Sequence, residues 1–106
     1  MAVVLSILLA APAAATSGAE LLQLDESFVL GYIWGAVESA VLVPSSDPDS
    51  LRLASHQSEC LAKAHINART MKEAVVAHIR KDPSTLTITG AASVTAVIFE
   101  ICGPPR

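Results

Sequence analysis

The stretch 26–43, ESFVLGYIWGAVESAVLV, constrains the fold more than any other part of this chain. Placed on a helix, Phe28, Val29, Tyr32, Ile33, Trp34, Val37 and Val41 cover most of the circumference. Only Ser27, Gly31, Gly35 and Glu38 leave a narrow small or polar stripe. A helix that is apolar nearly all round belongs in the middle of a bundle or in an interface between copies. Asp25 or Ser27 is placed to cap it, Glu26 sits favourably near its positive end, and Pro44 is placed to stop it. Gly31 and Gly35, four apart, would let another helix approach the backbone closely. In a lipid bilayer that spacing marks helix pairing. Glu38 and the shortness of the run point instead to a soluble core helix, anchored by Tyr32 and Trp34.

The beginning of the chain decides the compartment. Residues 2–15, AVVLSILLAAPAAA, are uncharged and end in Ala13-Ala14-Ala15, the small-residue pattern that a signal peptidase accepts. The run is shorter than the roughly 20 apolar residues of a membrane span, and Pro12 interrupts it. No Lys or Arg precedes it. Residues 1–15 therefore read as a signal peptide and 16–106 as a single periplasmic domain, free of the membrane once the leader is cleaved. The competing reading is a buried N-terminal helix.

A domain of this size buries a modest share of its surface, so a covalent staple is valuable. The two cysteines, Cys60 and Cys102, are an even number, and an exported setting permits oxidation. A bridge between them would close a loop of roughly 40 residues, contributing about 4 kcal/mol in the loop-entropy model. Two buried free thiols are the alternative if the leader reading fails. No CxxC or paired histidine spacing accompanies the cysteines, so no metal or other cofactor is expected.

The net charge is −3, and the basic residues (Arg52, Lys63, Arg69, Lys72, Arg80, Lys81 and Arg106) are dispersed. Without a basic patch, nucleic acid is not an expected partner. Residues 16–24 read as a polar start and a short helical turn around Leu21, Leu22 and Leu24.

Residues 44–59 form the break in the pattern, with Pro44, Ser45, Ser46, Asp47, Pro48, Asp49 and Ser50 as a turn cluster. A short helix over about 51–58, capped by Ser50, fits the remainder. This acidic, exposed stretch, with Asp47, Asp49 and Arg52, is the candidate contact loop; a solvated connector is the plainer reading. Asn67, or Thr70 in the box Thr70-Met71-Lys72-Glu73, starts the next helix. Met71, Val75 and Ile79 share one face of it, and Asp82-Pro83 ends it.

The final segment fits two descriptions. Thr85–Thr89 alternates like a strand, and 93–101 is β-branched enough to pair with it across Gly90. Three successive apolar residues, Val97, Ile98 and Phe99, break the alternation, so a helix over about 88–101 is preferred. The fold expected is all-α, a bundle of about four helices with one disulfide.

No constellation of chemical residues supports an enzyme. His56 falls in the polar linker and His65 before the second long helix. His78 lies on an apolar face, where a core histidine bonded to a backbone carbonyl is the plain reading. Glu38 and Glu100 could pair with a raised pKa, but solvated edge residues are the simpler assignment. The glycines are too scattered for a phosphate loop.

Phe28-x-x-Gly31-Tyr32-Ile33-x-Gly35-x-Val37-Glu38, a central cysteine, Ile66-Asn67-Ala68-Arg69-x-Met71-x-x-Ala74-Val75-Val76-x-x-Ile79-x-x-Asp82-Pro83, and a terminal helix reaching Cys102 together resemble the Rap/Tai family. These are immunity proteins against amidase effectors of type VI secretion. The likeness spans about residues 21–104. It implies an all-helical periplasmic homodimer that plugs the active cleft of a peptidoglycan amidase. The chain departs from the pattern at Val29, where a further cysteine is common, at Glu38 for aspartate, and at His78 for an aromatic. The segment Leu24-Asp25-Glu26-Ser27-Phe28 and the single cysteine pair also look like the HdeA-type periplasmic acid chaperones. Residues 84–101, nearly charge-free, fit those poorly.

Overall fold

The computed structural model describes residues 16–42 and 46–105. The leader at 1–15 and the stop at Pro44 lie outside the described residues. The elements in order are α1 (Gly18–Leu21), α2 (Glu26–Val41), α3 (Pro48–Lys63), α4 (Ala68–Lys81), a 3-10 turn (Pro83–Leu86) and α5 (Gly90–Cys102). The protein is all-α, four of its helices are long, and Cys60 is bridged to Cys102 with their Cα atoms 5.8 Å apart.

Each helix start is set by a short polar side chain that meets a free backbone N–H. The Ser17 hydroxyl accepts from the Glu20 N–H, and the Glu20 carboxylate accepts from the Ser17 N–H, both at 3.2 Å. Asp25 accepts from the Ser27 N–H at 3.1 Å. Asn67, not Thr70, caps α4: its Oδ1 accepts both the N–H and the hydroxyl of Thr70, at 2.9 and 3.0 Å. The Thr70 hydroxyl is thereby drawn away from the capping role.

Residues 44–59 are corrected most. Rather than a connector with a short helix at 51–58, the chain forms one sixteen-residue helix capped by Asp47, with Pro48 in its first turn. Proline lacks an N–H that this turn would leave unpaired anyway, and its fixed φ suits the helix. A Pro-Ser-Asp cluster thus marks a helix start as readily as a turn. Cys60 sits inside the last turn of this helix.

The α3–α4 connection is tight. The His65 N–H donates to the Ala62 carbonyl and the Ile66 N–H to the Leu61 carbonyl, both at 3.1 Å. This is a Schellman closure, and it puts His65 at φ +54.

The preference for a helix at the end of the chain holds, although α5 begins at Gly90 and not near 88. Thr89 caps it, and the residues ahead of it wind into the 3-10 turn. Of the strand-like character a single antiparallel bridge remains among the described residues, between Ser17 and Thr89. It is flanked by Gly18 N–H to Ile88 O at 2.9 Å and Gly90 N–H to Thr16 O at 2.7 Å. A Cβ at Gly18 would collide with the Thr85 carbonyl oxygen, so only glycine permits this approach.

α2, α4 and α5 pack against one another, and α3 lies on α2 and α5. The core holds Val29, Ile33 and Val37 from α2, Met71, Val75 and Ile79 from α4, and Val94, Val97 and Ile98 from α5. Leu21 and Leu61 close its ends. The all-round burial expected for α2 is not found. Phe28 is 44% exposed, Tyr32, Trp34 and Val41 are half-buried, and Gly31 and Gly35 face outward. Too few neighbours surround α2 to cover its second apolar face.

Candidate functional site

That uncovered face of α2 forms one wall of a groove. Gly31, Tyr32, Gly35, Ala36, Ser39 and Ala40 line it from α2, and Ala91 and Thr95 line it from α5. The space is about 610 Å³. The Tyr32 hydroxyl crosses its floor to accept from the Ala91 N–H at 3.0 Å, satisfying a free donor in the first turn of α5. The Phe28 ring stacks on Tyr32 with centroids 6.2 Å apart. A Cβ built at Gly31 or Gly35 meets no atom within 4 Å, so no helix of the described residues uses the close approach these glycines permit. Phe99, one turn beyond Thr95 on α5, is exposed as well.

A second feature joins α3 to the end of α5. His56 and Cys60 are one turn apart on α3. Cys60 is bonded to Cys102, and His56 Nε2 lies 3.0 Å from the Cys102 carbonyl oxygen and 3.1 Å from that of Gly103. A carbonyl only accepts, so Nε2 carries the proton and donates to the two oxygens. These are carbonyls that a helix end leaves unpaired. His56 is therefore a capping group in this fold, not a linker residue. The signal available in the sequence was its i, i+4 spacing from Cys60.

The candidate contact residues Asp47, Asp49 and Arg52 lie at the exposed N-terminal end of α3. Asp47 caps that helix and Asp49 and Arg52 belong to its first two turns, so they do not form a contact loop. The Ser50 hydroxyl (2.8 Å) and N–H (3.2 Å) both donate to the Asp47 carboxylate and hold its pKa below the ordinary aspartate value. Asp49 and Arg52 form an exposed pair at 3.5 Å across one turn.

The other titratable residues do not converge. His78 is half-buried, as an apolar-face histidine should be, but its Nδ1 meets the Glu100 Oε1 at 3.0 Å rather than a backbone carbonyl. Glu100 and Glu38 are both exposed, and Glu100 is engaged with His78, so the paired-carboxylate alternative is not realised. His65 is exposed at the helix junction. A smaller pocket beside α1 and α4 is lined by Leu21, Val29, Lys72 and Arg80, with Glu26 and Glu73 balancing its charge. Glu26 meets both Arg69 and Lys72 at 3.4 Å. Among the described residues, no three His, Cys, Asp or Glu side chains are grouped to hold a metal ion. Among them also, no helix is long and apolar enough to cross a membrane.

No protein-family model matches the chain, and no curated protein or solved structure matches it either.

Proposed function

We propose that the chain is an exported immunity-type protein that binds a peptidoglycan amidase of type VI secretion and blocks its cleft by occlusion, working as a homodimer. The observation that carries this reading is the part played by the residues behind the Rap/Tai resemblance. Tyr32 caps α5, Cys60 and Cys102 join two helices, Asn67 starts α4, and Asp82-Pro83 ends it. The motif is thus a set of fold-determining positions, as expected of a protein whose activity is to present a shape. The amidase-facing surface in this reading is the exposed end of α3 with Asp47, Asp49 and Arg52. The surface between copies is the groove, where Gly31 and Gly35 are recesses and Phe28 and Phe99 are projections of one self-complementary patch.

Calorimetry with an amidase encoded beside this gene tests the partner. Nanomolar affinity, weakened at least about tenfold by Asp49→Lys with Arg52→Glu, is the expected result. Absence of binding to any peptidoglycan amidase overturns the reading. Light scattering on Gly35→Leu tests the second copy. The open space at Gly35 accepts the side chain, so the fold should persist while the dimer is lost; a dimer that survives the substitution excludes the groove as its interface.

A further inference from the structure

We propose that the Cys60–Cys102 bond is a redox latch for α3, so that its reduction frees this helix while the α2–α4–α5 core stays folded. The burial pattern is uneven in a way that sets α3 apart. Along its sixteen residues only Gln57 and Leu61 are buried, and Leu61 is its sole apolar contribution to the core. By contrast, α2 and α4 each bury three large side chains, and α5 buries Val94, Val97 and Ile98. Those nine residues meet one another through direct α2–α4, α2–α5 and α4–α5 packing, which does not pass through α3.

What holds α3 is concentrated on His56, Gln57, Cys60 and Leu61, with Leu53 and Ala54 only half-buried a turn earlier. Two of these four act on a single target, the C-terminal end of α5, through the disulfide and through the hydrogen bonds to the Cys102 and Gly103 carbonyls. An isolated helix of this length is marginal in water. With the covalent bond cut, buried Leu61 and Gln57, half-buried Leu53 and Ala54 and a shared hydrogen bond remain to hold it. Elements with so few buried contacts open at lower free energy than the core around them.

The chemistry is ordinary thiol–disulfide exchange with a dithiol as reductant. Its thiolate attacks one cysteine sulfur and forms a mixed disulfide while the other cysteine leaves as a thiolate and takes a proton. The second reductant thiol then displaces the remaining cysteine. The protein gains two electrons and two protons as two thiols, and the reductant leaves as a cyclic disulfide. Both cysteines are half-buried, not sealed, so a small dithiol has access. On the proposed function, in which Asp47, Asp49 and Arg52 face the amidase, reduction would also unseat that surface.

Hydrogen exchange on the oxidised full chain, before and after dithiothreitol, is the test. The expected result is that residues 54–63 lose most of their protection, while residues 71–79 and 94–98, although weakened by the lost cross-link, stay at least about 100-fold better protected than α3, as in a sub-global opening. Cys60→Ser with Cys102→Ser should reproduce that profile without reductant. Retained protection in α3 overturns the proposal, and so does a reduced bundle in which α3 and the core are left equally protected. Exchange is read without any partner, so failure to bind an amidase leaves this result standing on its own.

Discussion

The Tyr32 hydroxyl accepts a hydrogen bond from the Ala91 backbone N–H at 3.0 Å, so one side chain in the middle of α2 completes the first turn of α5. Tyr32→Phe keeps the ring and its stacking with Phe28 but leaves this donor without its partner. The variant should lose about 1 kcal/mol of stability, read as a lower urea midpoint with an unchanged slope. An unshifted midpoint would mean that water replaces the hydroxyl at no net loss.

His65 occupies a left-handed conformation that its Cβ disfavours. At the αL position of a Schellman closure, glycine is the usual residue. His65→Gly should therefore stabilise the protein, by about 1 kcal/mol, since the left-handed region carries a penalty of that order for a residue with a side chain. The measurement is again the urea midpoint. Destabilisation would mean that the histidine makes a contact outweighing its backbone strain.

Gly18 lies against the Thr85 carbonyl, which is backbone and therefore slow to yield. The Thr85 hydroxyl also donates at the end of α4, with the Asp82 oxygen at 2.6 Å and the Ile79 oxygen at 3.1 Å. Gly18→Ala should thus push apart the entry of the chain and the turn after α4, at about 1–3 kcal/mol. Faster hydrogen exchange at Gly90, whose N–H bonds to Thr16, would locate the damage.

Two caps contribute to the loss of stability in acid. The Ser50 hydroxyl and N–H depress the pKa of Asp47, and those of Ser84 do the same for Asp82, with a smaller contribution from the charge of His78. A carboxylate whose folded pKa lies below its unfolded one adds stability above the unfolded value, about 3.9 for aspartate. That contribution fades as the pH falls through the lower folded value. Thermal melts should be insensitive to these two groups at neutral pH and should drop below about pH 4. Asp47→Asn with Asp82→Asn should flatten part of that drop, because asparagine still caps but does not titrate.

The local features of this fold were legible in the chain. Asn67 and Asp25 announce their helices by chemistry within three residues, Met71, Val75 and Ile79 by spacing, and Cys60 with Cys102 by being an even pair. What escaped was either ambiguous or long-range. Pro48 after Asp47 belongs equally to a turn and to a helix start, and only the neighbours that α3 packs on decide between them. The Ser17–Thr89 bridge joins residues too distant for any periodicity to reveal, and the reach of His56 to Cys102 and Gly103 was hinted at only through its spacing from Cys60. The same holds for the candidate site. Gly31 and Gly35 were visible as a recess, yet the other wall of the groove, Ala91 and Thr95, comes from a helix whose packing no spacing rule connects to α2.

The most direct test of the account is an inhibition titration. A peptidoglycan amidase encoded beside this gene would be assayed on cell-wall peptide while the oxidised protein is added. Activity should fall linearly to near zero at one binding site per amidase, with nanomolar apparent affinity. Full turnover in the presence of a large excess of the protein would contradict it.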